Sequence, residues 1–393
     1  MVSGTPSRRG DSGSGGCGCS NMHLIGATHL PSDLAPSESR GPVRSERSES
    51  GMLSRFFHPW ERQLAAITKD RVVRPFDWGL DWISAVPNGS AGSVLGRWVD
   101  DVMRDTGGFF EAPPAPEYDF DARTGELRFP SALTTPHPAN NTVLARWFPA
   151  PDEPPITTSG TRGRAVVVLP QWNSDAGGHI GLSRLLARCG VSALRLSLPY
   201  HDARMPPELT RADYIVSANI ARTVQVCRQA VLDARRAIAW LALQGYERIG
   251  ILGTSLGSCL AMLTSAHEPR IRAQALNHVS PWFADVVWRG LSTRHVRESL
   301  DGNVTLDELR ELWRPINPWS YLDRVTNTRT LLVYARYDLT FPVDLSRVLV
   351  DEFARRNLPH EVAVLPCGHY STGIAPFSYL DAYLLIRFLR RNL

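Results

Sequence analysis

Residues 248–266, RIGILGTSLGSCLAMLTSA, leave the chain few choices. Ile249, Ile251 and Leu252 form a short apolar run of strand type. Gly253-Thr254-Ser255-Leu256-Gly257 follows without a spacer, and Leu256, Leu260 and Leu263 then recur at helical spacing. A strand passing straight into a helix must reverse within a few residues, and the two elements then approach so closely that only very small residues fit on either side of the apex. Gly253 and Gly257 are those residues, and Ser255 is the apex. GxSxG alone recurs by chance, but between a strand and a helix it specifies a serine on strained backbone with its hydroxyl exposed above a sheet.

A serine hydroxyl is a weak nucleophile at neutral pH, so such a turn implies a histidine to take the proton and a carboxylate to hold that histidine. On this arrangement both come later in the chain, at the C-terminal ends of strands. Thr330–Tyr334, TLLVY, reads as a buried strand and leads into Ala335-Arg336-Tyr337-Asp338, which puts Asp338 in the acid position. Glu361–Leu365, EVAVL, leads into Pro366-Cys367-Gly368-His369, which puts His369 in the base position. Asp344, just beyond Pro342 in the next helical run, is a competitor for the acid. An oxyanion hole needs two N–H donors. Leu256, at the start of the elbow helix, offers one. The other is expected after Leu169, where Pro170 has no N–H and Gln171 and Trp172 are the two candidates.

These motifs, in this order, resemble the α/β-hydrolase superfamily over about residues 118–393. The resemblance implies an α/β-hydrolase fold: a mostly parallel sheet with crossover helices and a helical cap between what the superfamily counts as its sixth and seventh strands. It also implies serine chemistry of the esterase, lipase, thioesterase or peptidase kind. Some relatives carry the acid after the sixth strand, so Asp285 is a second competitor to Asp338. LPQWNSD, LPYHDARMP and LPCGHY look like the subgroup of α/β-hydrolase domain-containing protein 18. The loop after Leu169 departs from the superfamily's HG and HGGG oxyanion patterns, which leaves Gln171 and Trp172 open.

The remaining chain fits this frame. A length of 393 residues with 43% hydrophobic content can bury a large core. Net charge is only +4, with no basic run, which argues against a nucleic-acid partner. No stretch approaches the 18 apolar residues of a membrane span. The six cysteines, Cys17, Cys19, Cys189, Cys227, Cys259 and Cys367, show no framework spacing and read as reduced thiols of a cytoplasmic protein. Residues 1–50 read as a disordered, low-complexity tail. Periodic sequence begins at Gly51-Met52-Leu53, which makes Met52 a candidate translation start. Residues 51–117 read as a Trp-rich extension packed on the core, near the site mouth, and residues 118–393 as the hydrolase domain.

Tyr118–Ala122 and Glu126–Phe129 predict a hairpin, and Asn141–Phe148, Ala165–Leu169, Ser192–Leu198 and Ile271–Ser280 predict further strands. Leu182–Cys189 and Asn219–Gln244 predict helices. Residues 281–323 read as the cap, with Thr305 and Glu308 as a capping box. Trp282, Phe283, Trp288, Trp313 and Trp319 are expected on its underside, Trp282 and Trp288 as substrate contacts. Tyr200, His201, Asp202 and Arg204 are expected beside the pocket, His201 as a substrate contact. His179, His201 and Asp202 show no HxxxH or HExxH spacing, and serine hydrolysis calls for no metal or cofactor. The expected activity is cleavage of a small-molecule carboxylic ester with an apolar acyl or aryl group. Acyl transfer by the same three residues, or a non-catalytic binding scaffold, are the rival readings.

Overall fold

The computed structural model describes residues 44–85, 88–151 and 162–393. Most of the expected N-terminal tail lies outside these residues. Helix α1 starts at Arg44 and runs to Ala66, so it begins before Gly51, where the periodic sequence was expected to start. Its side chains are described from Gly51 onward. From Ser50 the chain forms one unit, centred on a sheet of nine strands in the order β1-β2-β3-β5-β4-β6-β7-β8-β9.

Helices α2 (Ala91–Arg104) and α3 (Thr106–Phe109) precede the sheet. β1 (Asp119–Asp121), β2 (Glu126–Pro130) and β3 (Thr142–Phe148) form an antiparallel edge, and β3 joins β5 (Ser192–Leu196) antiparallel as well. β4 (Arg162–Leu169), β6 (Tyr246–Thr254), β7 (Ile271–Asn277), β8 (Arg329–Ala335) and β9 (His360–Leu365) continue parallel to β5. Parallel neighbours need crossovers. These are α4 (Ile180–Arg188), α5 (Ile220–Leu243), α6 (Leu256–His267) and α10 (Val343–Arg355), while α11 (Phe377–Asn392) closes the chain. Between β7 and β8 lie α7 (Phe283–Arg289), α8 (Arg294–Leu300) and α9 (Leu306–Leu312), where the helical insertion was expected. Thr305 and Glu308 form the capping box of α9.

Strand periodicity decides the two faces. Val167, Leu169, Ile249 and Ile251 pack into one cluster with α5, α6 and the insertion. Val166, Val168, Ala273 and Val333 pack into the other, with α4, α11 and Phe57 of α1. Burial of the central strands on both faces explains why β4 reads as a continuous apolar run. The Trp-rich extension packs against these clusters through Trp60, Trp78, Trp82 and Trp98. Two expected strands stop short. β5 ends at Leu196, and β7 ends at Asn277 because His278 takes φ 60°, outside the extended range. Cys189, Cys227, Cys259 and Cys367 are free. Among the described residues no helix is long and apolar enough to cross a membrane.

Candidate active site

Ser255 sits between β6 and α6 with φ 56° and ψ −119°, the strained geometry expected of the turn. Backbone bonds hold it there. Its N–H donates to Asn277 O at 2.8 Å, and its own carbonyl accepts from Ser258 N–H at 2.8 Å. Ser258 Oγ, 2.7 Å from Ser255 O and 2.6 Å from His278 O, ties the start of α6 to the end of β7. The flanking glycines are required sterically. A Cβ on Gly253 would lie 2.0 Å from Gly257 O, and one on Gly257 would lie 2.3 Å from Leu169 O. The second contact brings the start of α6 against the loop after β4.

Asp338, buried beyond the end of β8, receives four hydrogen bonds. Thr340 and Phe341 donate their backbone N–H groups to Oδ1, both at 2.7 Å. His369 Nδ1 lies 2.9 Å from Oδ2 and His278 Nδ1 lies 2.8 Å from the same oxygen. Burial by itself would raise this carboxyl, but the two imidazoles more than reverse that and hold it well below the usual carboxylate range. An ionised carboxylate only accepts, so both rings carry their proton on Nδ1. That tautomer leaves His369 Nε2 as its basic nitrogen. Phe341 stacks on the His369 ring at 5.4 Å and fixes its plane. The competing acids are engaged elsewhere: Asp285 with Arg310 at 2.6 Å, and Asp344 with Arg289 at 2.8 Å.

The loop carrying His369 is anchored by α1. Fully buried Glu61 accepts from Tyr370 N–H at 2.8 Å, Ser371 N–H at 2.9 Å and Ser371 Oγ at 2.7 Å. A Cβ on Gly368 would lie 2.3 Å from Glu61 Cδ, so the glycine admits the carboxylate. Sequence reasoning missed both His278 and Glu61. Each left a trace: His278 directly follows the C-terminal end of an apolar strand, where site residues were sought, and Glu61 shares an i, i+4, i+8 stripe with Phe57 and Ala65.

Leu256 is the first residue of α6, so its N–H has no acceptor within the helix. Opposite it, Asn173 has φ 61°, and its N–H is already committed to His201 Nε2 at 3.0 Å. The Trp172 indole donates to Ala212 O at 2.9 Å. The Gln171 and Trp172 backbones therefore remain the two candidates. His201 lies behind this loop and does not line the cavity. Burial depresses its pKa to about 4, and its Nδ1 is 2.8 Å from Pro199 O. Asp202 and Arg204, also expected at the pocket, are tied to Arg195 and Asp233, both pairs being buried.

Ser255, His369, Leu256, Gln171, Trp172 and His278 all border one cavity of about 810 Å³. Thr68 and Arg71 of the N-terminal extension border it too. Its apolar wall from the insertion is Phe283, Val286 and Val287 rather than Trp282 and Trp288. The spacing accounts for the difference. Residues i, i+3 and i+4 share a face of α7, whereas Trp282 precedes the helix and Trp288 falls on another side. Trp282 pairs with Trp319 at 5.2 Å, and the Arg297 guanidinium lies 5.1 Å from the Trp288 ring. Trp313 is wholly buried, its indole donating to Ile220 O at 3.2 Å. His179 also lines the cavity. Its Nε2 is 2.9 Å from Thr254 Oγ1, and burial, with Arg195, lowers its pKa to about 4.

His278, Asp338 and His369 also bring their ligand-type atoms within 4.8 Å of one another. Both Nδ1 protons are committed to Asp338, so a metal would have to displace the hydrogen bonds that organise the group. Ser255, Leu256 at the start of α6 and an Asp338-bound His369 thus border one cavity.

No family model matches the sequence, and no curated protein matches it significantly. Solved structures do resemble it. An acylaminoacyl peptidase of Pyrococcus horikoshii matches with a TM-score of 0.53 at 15% identity, over 70% of this chain and 42% of that one. This chain thus spans under half of the peptidase. Acetyl xylan esterase 1 from Thermoanaerobacterium sp. matches with a TM-score of 0.51 at 15% identity, over 80% of this chain and 99% of that one. An acetyl xylan esterase from Paenibacillus sp. matches with a TM-score of 0.53 at 14% identity, over 80% and 98%. At such identities the likeness is one of fold, and that fold is the α/β-hydrolase fold.

Proposed function

We propose that the chain is a serine hydrolase that cleaves a carboxylic ester through an acyl-enzyme on Ser255, with His369 as general base and Asp338 as orienting acid. One observation carries the reading: a serine on a strained elbow borders the same cavity as a histidine whose Nδ1 is held 2.9 Å from a buried carboxylate. Ser255 Oγ attacks the ester carbonyl carbon and gives its proton to His369 Nε2. The tetrahedral oxyanion is stabilised by Leu256 N–H together with the N–H of Gln171 or Trp172. Collapse breaks the ester C–O bond, and the departing alcohol takes the proton back. Water, deprotonated by the same nitrogen, then releases the acid. Phe283, Val286 and Val287 favour an apolar acyl or aryl group.

Labelling with a fluorophosphonate, followed by a panel of p-nitrophenyl esters of increasing chain length, tests the reading. The expected result is labelling confined to Ser255 and turnover that varies with chain length. An unlabelled wild-type protein that turns over none of the esters would overturn it. An added alcohol that captures the acyl group in preference to water would convert the reading to acyl transfer.

A further inference from the structure

Beside the cavity mouth, α4 and α11 border a groove of about 730 Å³. Groove and cavity share Leu185, Tyr379 and Ala382, so the two adjoin. The ground around the groove carries exposed aromatic and aliphatic side chains. Tyr379 is 73% exposed and Tyr383 57%, with Leu185, Leu380 and Ile374 exposed beside them. The groove is also basic. Arg164, Arg387, Arg390 and Arg391 line it, and among the described residues only Arg391 of these four has an ion-pair partner, Glu361. α4 carries no acidic residue and α11 carries only Asp381, which belongs to the cavity wall.

We infer that this face docks on a bilayer surface containing anionic lipids, with the aromatic and aliphatic side chains entering the headgroup layer and the arginines meeting lipid phosphates. Apolar anchors beside unpaired arginines are the chemistry such a surface recognises. A second copy of the chain fits poorly, because a two-fold contact would set these arginines against themselves. The consequence for substrate rests on the hydrolase reading: the ester is a lipid whose acyl chain passes between α4 and α11 to Ser255.

The test is co-sedimentation of the full chain with vesicles, either of phosphatidylcholine alone or of phosphatidylcholine and phosphatidylglycerol in about equal parts. Binding is expected to the mixed vesicles, weakening as salt rises. Arg387→Gln with Arg390→Gln should weaken it by about 30-fold, roughly fivefold for each arginine. Tyr383→Ser should weaken it at every salt concentration. None of these three residues borders the catalytic cavity, so hydrolysis of a soluble short-chain ester should be unchanged. Equal binding to both vesicle types, undiminished binding by the arginine variant, or a dimer that Tyr383→Ser dissociates would each overturn the proposal. Vesicle binding without ester turnover or fluorophosphonate labelling would remove the hydrolase reading and leave the docking surface standing.

Discussion

Ser255 is held almost entirely by its neighbours in sequence and by backbone: two glycines that let α6 close on β6, a carbonyl from β7, and a φ of 56° that the turn enforces. His369 is held by side chains drawn from distant segments. Asp338 comes from the end of β8, His278 from the end of β7 on the same carboxylate oxygen, Phe341 as a stacked ring, and Glu61 from a helix some 300 residues earlier. Strain stored in a turn needs a local motif, whereas orientation of a free imidazole needs partners on several sides. The serine end is therefore rigid by construction, and the histidine end is only as rigid as its packing.

The largest effect is expected at the serine. Ser255→Ala should abolish fluorophosphonate labelling and lower ester hydrolysis by about 10⁶-fold, with melting temperature nearly unchanged because backbone sets the elbow. Loss of folding in this variant would mean that the hydroxyl holds the turn together, contrary to the contrast drawn between the two ends.

Asp338→Asn comes next, at on the order of 10⁴-fold in kcat, since an amide donor opposite Nδ1 favours the wrong tautomer. Asp285→Asn and Asp344→Asn should cost far less, because their partners are Arg310 and Arg289. A larger loss from Asp285→Asn would move the acid to the insertion.

Glu61→Gln tests whether the histidine end depends on a remote helix. It replaces an acceptor of three hydrogen bonds with a group that brings its own N–H donors towards Tyr370 and Ser371. A small misplacement of His369 should lower kcat by about 10²-fold with KM little changed. The decisive arm is a double-mutant cycle. In a His369→Ala background Glu61→Gln should have no further effect on the residual rate, since it acts through the ring. Additive losses would assign Glu61 to stability alone.

This contrast also governs what could be read from sequence. Ser255, Leu256 and the elbow elements were legible because a turn is a local event with a local pattern. Asp338 and His369 were legible because strands end in the order that the fold requires. Glu61 and His278 were not, because nothing near either residue says what lies across from it. The aromatic expectation misplaced Trp282 and Trp288 for a related reason. Residue type suggested a pocket wall, but helical phase selected Phe283, Val286 and Val287. His201 was expected to touch substrate, and instead it accepts from Asn173 N–H behind the loop that borders the cavity.

His201 is where the serine end departs from its own rule, since the loop opposite Leu256 leans on a side chain. Its Nε2 accepts from Asn173 N–H only while the ring is neutral, and burial lowers its pKa from 6.5 to about 4. The folded state thus resists a proton that the unfolded chain accepts once pH falls below 6.5. His201 gives its full stabilisation above that pH and loses it progressively as pH falls towards 4. The loss amounts to at most about 3 kcal/mol. His179, His267 and His295 are shifted in the same direction, so wild-type melting temperature should decline over this interval for several reasons at once. His201→Gln isolates one of them. An amide can still accept from Asn173 and donate to Pro199 O without titrating, so the variant should differ little from wild type at pH 8 and gain on it steadily between pH 6.5 and 4. Parallel melting curves across that range would show that the loop opposite Leu256 does not depend on His201, and the serine end would then be backbone-built throughout.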